Sequence, residues 1–182
     1  MERENFPAEP EGREEIRLKK RAVWVLVALL LLVSGCGGQQ EEGRAEDSDV
    51  ALNTLYAGME MSCGWGEDYM TDVEGELLEE YYPGLSEVPA KQLVVKVPAM
   101  SSDVNEIVLM QCETEEDAEN AAAILQARVD AQAEGGAWYP ETQAAWEKAQ
   151  VLREGTYVAL IASGAHQEAL EEQFRLQFQS KE

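Results

Sequence analysis

The chain has 182 residues, and 36 Asp or Glu against 14 Lys or Arg give it a formal net charge of −22. A nucleic-acid partner needs a basic surface for its phosphates, so this composition argues against one. It also argues against adsorption to anionic lipid headgroups, so an attachment to a membrane needs another cause than surface charge. The acidic charge either attracts cations or a basic partner, or only keeps the protein soluble, and we prefer the second explanation.

A short apolar run near the start of the chain is typical of a secretion signal. Residues 22–33 read AVWVLVALLLLV and follow the basic residues Lys19–Arg21. This run is shorter than the roughly 20 apolar residues that a membrane-spanning helix needs. Its basic flank and the small residues at its end are features of a signal peptide. We therefore expect a signal peptide over residues 1–35.

The end of this run carries a second signal. Val33, Ser34, Gly35 and Cys36 resemble the lipobox of bacterial lipoproteins. The resemblance implies that the thiol of Cys36 is joined to diacylglycerol and that the chain is cut directly before it. Two acyl chains on one residue anchor a protein firmly in a membrane. The protein is thus expected on the extracytoplasmic face of the cell membrane, with an uncleaved signal anchor and an ordinary thiol at Cys36 as the alternative.

Composition divides the rest of the chain into a tether and one domain. Residues 36–49 are expected to be the lipidated cysteine and a flexible acidic tether, because GGQQEEGRAEDSD holds no apolar residue larger than Ala45. Residues 50–182 are long enough for one domain with a single hydrophobic core. Within it, apolar spacing predicts a helix over residues 50–61 and another over residues 69–82, which Pro83 and Gly84 terminate.

A strand–strand–helix pattern follows twice. In the first copy, strands over residues 92–97 and 106–112 are separated by a turn-rich loop, and Thr114 to Asp117 match a capping box that begins a helix. In the second copy, strands over residues 149–153 and 156–162 precede a helix with Leu170, Phe174 and Phe178 on one face.

These two copies predict an α+β fold. A four-stranded antiparallel sheet is expected from the two strand–strand–helix units, with the helices packed on one face of the sheet. The two N-terminal helices are expected to cover an end of the sheet or to join the helical layer.

Aromatic residues are concentrated in the segment that joins the two copies. Residues 135–146 read GGAWYPETQAAW, in which Pro140 is expected to begin a short helix. Trp138, Tyr139 and Trp146 would mark a contact surface if they are exposed together. If they are buried they belong to the core, which is the interpretation that we prefer.

Four segments carry a resemblance to a known family. YYPGL (residues 81–85), MSSDVNEIVLM (100–110), ARVDAQAEGGAWYP (127–140) and EGTYVALIAS (154–163) resemble the bacterial lipoprotein family with the domain of unknown function 4358. The resemblance covers nearly all of residues 50–174 and includes the lipobox. It implies no activity, substrate or catalytic residue, so it adds no site beyond Cys36.

The chain offers few groups for catalysis or metal binding. His166 is the single histidine, and its expected place in the first turn of the last helix gives it no catalytic partner. Met59, Met61 and Cys63 would form a soft metal site only in an extended segment, so neither a metal nor a cofactor is expected. Cys63 and Cys112 form a disulfide if the fold brings them together, and otherwise remain thiols.

Three classes of function are compatible with these observations. The preferred hypothesis is a binding or interaction module of the cell envelope, whose ligand is an envelope protein or a small molecule. One alternative is an envelope hydrolase that uses two carboxylates, because acidic side chains are abundant. The other alternative is an accessory structural envelope protein without a ligand.

Overall fold

The structure is a computed structural model that describes residues 49–100 and 102–179. The predicted signal peptide, its cleavage residues Val33, Ser34 and Gly35, and the lipidation site Cys36 lie outside these residues, as does all of the predicted tether before Asp49. Across the described ranges, no helix combines the length and the apolar character that crossing a membrane requires.

The chain order of the elements is as follows. Helix α1 spans Leu52–Cys63, strand β1 Met70–Asp72, helix α2 Glu76–Tyr81 and a 3₁₀ turn Leu85–Glu87; strand β2 spans Ala90–Pro98, strand β3 Asn105–Cys112, helix α3 Glu115–Ala131 and a π-helical turn Gln132–Gly136; helix α4 spans Pro140–Trp146, strand β4 Gln150–Glu154, strand β5 Tyr157–Ser163 and helix α5 Gln167–Leu176.

The described strands form one antiparallel sheet in the order β1-β2-β3-β5-β4. The two predicted hairpins, β2–β3 and β4–β5, are confirmed, and they join through β3 and β5, where Val108 lies opposite Leu160. The sheet has five strands instead of the predicted four. The α+β class is confirmed.

The additional strand lies where a single helix over residues 69–82 was predicted. Met70–Asp72 pairs with Lys96–Pro98 at the edge of the sheet, and only Glu76–Tyr81 is helical. The apolar residues have helical spacing, but Gly75 has a φ of 58°, a left-handed conformation that interrupts the helix. The prediction was therefore half right.

Helices cover both faces of the sheet, so the prediction of helices on one face was wrong. Helices α2, α3 and α4 cover the face that carries Val108 and Leu160. Helices α1 and α5 cover the opposite face, which carries Ile107 and Ile161. The residues of β3 and β5 are buried at every position, and a strand that is buried on both sides needs a layer on each.

Polar side chains fix where the chain enters the domain. Gln111 donates from Nε2 to Oδ1 of Asp49 over 2.6 Å, and the Tyr157 hydroxyl accepts from the backbone N–H of Val50 over 3.0 Å. Gln111 lies near the C-terminal end of β3. The other end of that strand, at Glu106, is about 17 Å away at the rise of an extended strand.

Candidate functional site

A buried ion pair lies at the N-terminal end of β3. Glu106 is 4% exposed and points to the same face of the sheet as Val108. Arg128 of α3 donates from Nε to Oε1 and from Nη2 to Oε2 of this carboxylate, each over 3.0 Å. The hydroxyl of Tyr82 also donates to Oε1 of Glu106. Charge-assisted bonds in this bidentate geometry offset the cost of burying both charges.

Aromatic rings surround the arginine of this pair. The guanidinium carbon of Arg128 lies 4.6 Å from the ring centre of Tyr81, 5.4 Å from that of Trp146 and 6.0 Å from that of Tyr82. Such distances allow cation–π attraction. Several rings and one carboxylate therefore hold the guanidinium in a single orientation.

The pKa shifts of the cluster have clear physical causes. Burial raises the pKa of Tyr82 well above its usual value, and the negative charge of Glu106 adds to this increase. Burial lowers the pKa of Arg128, but the hydrogen bonds and charge of Glu106 outweigh burial and raise it overall. Tyr82 therefore stays a hydrogen-bond donor and Arg128 stays charged at neutral pH.

A cavity of about 740 Å³ lies beside this cluster. Its wall includes Glu106, Arg128 and Trp146 from the cluster, together with Asp103 from the loop between β2 and β3. Cavities that hold small molecules commonly have volumes of about 300–1,000 Å³. The space is therefore large enough for a small-molecule ligand.

One nitrogen of Arg128 is not used by the ion pair. Nε and Nη2 bind Glu106, and Nη1 has no acceptor among the residues that the structure describes. Every buried side-chain nitrogen or oxygen of the described part has a hydrogen-bond partner. Nη1 must then reach solvent, and Arg128 lines both this cavity and a second one of about 570 Å³ that Tyr81 and Ala131 also line. Its two N–H groups are free to donate to a ligand oxygen.

A glycine turn places two aromatic side chains at the rim of the cavity. Gly135 has a φ of 127°, and a Cβ on Gly136 would lie 2.7 Å from the carbonyl oxygen of Ala131. The turn therefore requires glycine at both positions. Directly after it, Trp138 is 93% exposed and Tyr139 is 60% exposed.

The predicted aromatic group is thus divided between surface and core. Trp138 and Tyr139 are exposed together beside the cavity, as a contact surface requires, whereas Trp146 is 5% exposed and packs in the core. The preferred interpretation of all three as core residues holds for Trp146 alone. Pro140 begins α4 as predicted. Tyr139 directly precedes this helix, and Trp146 is its last residue.

A second polar cluster occupies the other face at the same end of the sheet. Tyr69 donates to Oδ2 of Asp103 over 3.0 Å, and Asn105 donates to the Tyr69 hydroxyl over 2.6 Å. Ser163 donates to Oδ1 of Asn105 over 2.6 Å and accepts from the backbone N–H of His166. These bonds satisfy one another and connect the β2–β3 loop to β5, so the cluster has a structural role.

The disulfide that the sequence left open between Cys63 and Cys112 does not form in this fold. Cys63 and Cys112 are both free thiols. Cys63 packs with the core under α1 and α5, whereas Cys112 belongs to the core under α2, α3 and α4. The sheet separates the two residues, so of the two alternatives that the sequence left open this fold has the free thiols. Burial raises the pKa of Cys112 to about 11.

The soft side chains near Cys63 do not converge. Met59 is buried in the core and Met61 is exposed, because the segment is the end of α1 and not an extended chain. Among the residues that the structure describes, no group of three or more His, Cys, Asp or Glu could hold a metal ion.

Sequence reasoning missed the three residues at the centre of the site: Tyr82, Glu106 and Arg128. A signal existed for Glu106, because a carboxylate within the apolar strand EIVLMQC needs a buried partner. The identity of the partner had no comparable signal. Arg128 is 22 residues away along the chain, on a helix whose position depends on the packing of the whole domain.

The sequence profile of one family matches residues 65–163, and that family is described as "Domain of unknown function (DUF4358)". The match covers more than half of the chain. The protein belongs to the DUF4358 family. No curated protein and no solved structure matches the chain.

The DUF4358 segment contains the complete site. It begins before β1 and ends with the last residue of β5, so it includes all five strands of the described sheet and helices α2, α3 and α4. Glu106, Arg128 and the rim residues Trp138 and Tyr139 all lie inside it. Helices α1 and α5, which cover the opposite face, lie outside it.

Proposed function

We propose that this protein is a binding module of the cell envelope, whose ligand is a small molecule held in the cavity beside Glu106 and Arg128. The observation that carries the proposal is the combination of a buried ion pair, held by bidentate hydrogen bonds, with two exposed aromatic side chains around one cavity. Rigid polar groups in a wall with aromatic side chains are the usual composition of a ligand site. Leaving Trp138 in water is otherwise unfavourable.

The chemistry of the carboxylate favours binding over hydrolysis. Both oxygens of Glu106 accept hydrogen bonds, from Tyr82 and twice from Arg128. A general acid or base needs an oxygen within reach of the substrate. Tyr82 and Arg128 occupy both oxygens of Glu106, so this carboxylate supports the geometry of the site. It is not available as the catalytic carboxylate that a hydrolase requires.

The location is part of the same proposal. The lipobox-like sequence from Val33 to Cys36 supports a lipid anchor on the extracytoplasmic face of the membrane. Asp49 and Val50, the first described residues, lie at the end of the sheet opposite Glu106. Intact-mass analysis of the protein from membranes tests the anchor: we expect a chain that begins at Cys36 and carries acyl groups. A chain that still begins at Met1 without acyl mass would contradict it.

Binding is tested with the full-length chain in detergent, labelled with fluorotryptophan and observed by ¹⁹F NMR. Small sugars, amino acids, amines and carboxylates are added one class at a time. We expect at least one class to move the signals of Trp138 and Trp146, which line the cavity, without moving that of Trp65. Trp65 packs on the opposite face and serves as an internal control.

The negative outcome is equally informative. If no class of solute moves either cavity signal, the binding proposal is wrong. The accessory structural protein without a ligand then becomes the better hypothesis.

A further inference from the structure

We infer that the ligand of this cavity is a small organic cation with an oxygen acceptor, such as a quaternary or primary amine that carries a hydroxyl or carbonyl group. The inference rests on the proposed binding function and names the ligand's chemical class. Two features have the sign that a cation requires, namely the charges of the wall and the aromatic rim. The remaining donor of Arg128 accounts for the oxygen acceptor.

The charged side chains of the wall leave one negative charge in excess. Asp103, Glu106 and Arg128 are the charged side chains that line the cavity in the described part of the chain. Glu106 neutralises Arg128 through its bidentate bonds. Asp103 has no basic partner in the described part of the chain, and its Oδ2 accepts from Tyr69. An entering cation is therefore attracted to the wall, and an anion is repelled from it.

The rim adds two aromatic ring faces. Trp138 and Tyr139 are exposed to solvent beside the cavity. The face of an aromatic ring attracts cations, and tryptophan does so most strongly. Arg128 already makes this interaction with Tyr81 and Trp146, so Trp138 and Tyr139 are the rings that remain for a ligand.

The remaining donor of Arg128 defines the uncharged part of the ligand. The N–H groups of Nη1 need an acceptor oxygen, and the neutralised guanidinium does not require that oxygen to be charged. The net charge of −22 on the chain disfavours the approach of an anion from outside. A hydroxyl or carbonyl oxygen meets both conditions.

The test compares three molecules of one shape with the full-length chain. Choline is the cationic probe, the alcohol with a tert-butyl group in place of its trimethylammonium is the neutral analogue, and the matching tert-butyl carboxylate is the anionic analogue. Affinity is measured from the ¹⁹F shifts of Trp138 and Trp146. We expect choline to bind about two- to five-fold more tightly than the neutral alcohol, as the strength of an exposed cation–π contact implies. The carboxylate should bind most weakly.

Two variants assign this selectivity to the wall and the rim. Trp138→Ala, observed through Trp146, and Asp103→Asn should each reduce the preference for choline over the neutral alcohol by about two- to five-fold. An asparagine at position 103 can still accept from Tyr69. The matched controls are Met61→Ala, an exposed apolar residue on α1, and Glu113→Gln, which removes one negative charge beyond the far end of β3. Both controls should leave the preference unchanged.

The outcomes separate the inference from the proposed function. Equal binding of choline and the neutral alcohol, tighter binding of the carboxylate, or no binding of choline would each overturn the inference of a cationic ligand. The proposed function fails only if every class of solute in the wider ¹⁹F screen leaves the cavity signals in place. An equal loss of preference in Glu113→Gln and Asp103→Asn would also overturn the inference, because general charge and not the wall would then be responsible.

Discussion

Removal of the charge from Glu106 is the most direct test of the buried ion pair. In Glu106→Gln, the shape of the side chain is kept and its oxygen can still accept from Tyr82. Its NH₂ group cannot accept from Nη2 of Arg128, which then lies largely buried without its counter-charge. The loss of one member of a buried pair costs about 3–5 kcal/mol. We expect about 3 kcal/mol, the lower end of that range, because the Arg128 side chain remains 18% exposed.

The partner substitution and the double substitution complete the argument. Arg128→Met leaves a carboxylate that is more deeply buried than the arginine, so it should cost at least as much as Glu106→Gln. The variant with both substitutions should cost less than the sum of the two, because no unpaired charge is left behind. Arg153→Met is the matched control. Its partner Glu119 is exposed, so the free energy of unfolding should fall by less than about 1 kcal/mol.

Urea unfolding followed by circular dichroism measures these free energies. Two results would refute the reasoning. One is a loss below about 1 kcal/mol in Glu106→Gln, which would place the pair in a solvent-like environment. The other is a double variant whose loss equals the sum of the single losses within about 0.5 kcal/mol, which would mean that the two side chains do not interact.

Four further predictions concern the cap, the turn and the two thiols. Thr114→Ala removes the capping box of α3 and should lower the free energy of unfolding by about 1 kcal/mol, measured in urea; a loss of zero would show that the cap contributes nothing. Gly136→Ala forces the turn before Trp138 to shift, so the ¹⁹F signal of Trp138 should move; an unmoved signal would mean that the turn accommodates the methyl group. Native alkylation should modify Cys63 before Cys112, as peptide mass spectrometry can show. Because the pKa of Cys112 is raised from 9.0 to about 11, the unfolded state releases its proton first; the stability that this thiol contributes is complete below pH 9 and declines as the pH rises toward 11. Cys112→Ala should make the decline in unfolding free energy over that range less steep, and an unchanged slope would contradict the shift.

Local sequence determined most of the secondary structure of the domain. The hairpin strands, the capping box at Thr114 and the helix start at Pro140 were all predicted, because each depends on residues that are close together along the chain. The helix predicted over residues 69–82 was half right. Its apolar spacing is helical, but pairing with β2 converts Met70–Asp72 into an edge strand. The spacing of apolar residues within a segment carries no information about its pairing with a strand about 25 residues away.

The sequence indicated that both faces of the sheet are covered, but the repeat pattern favoured a single helical layer. The strands EIVLMQC and TYVALIA are apolar at nearly every position, which is typical of a strand that is covered on both faces. Strand–strand–helix units placed side by side suggested one helical layer instead. Only the packed structure decides that α3 and α5 lie on opposite faces, and that decision also separates Cys63 from Cys112.

The sequence by itself determined the parts of this protein: an acidic α+β domain, two hairpins with their following helices, and an aromatic pair shortly after two glycines. That this pair is exposed was decided by the tertiary structure. The tertiary structure alone decided which of these parts meet. Glu106 and Arg128 lie in different elements, and their contact depends on how α3 packs across the sheet. A charged residue within an apolar strand indicates that a buried partner is needed, because burying an unpaired charge is costly. The packing of the whole domain selects that partner.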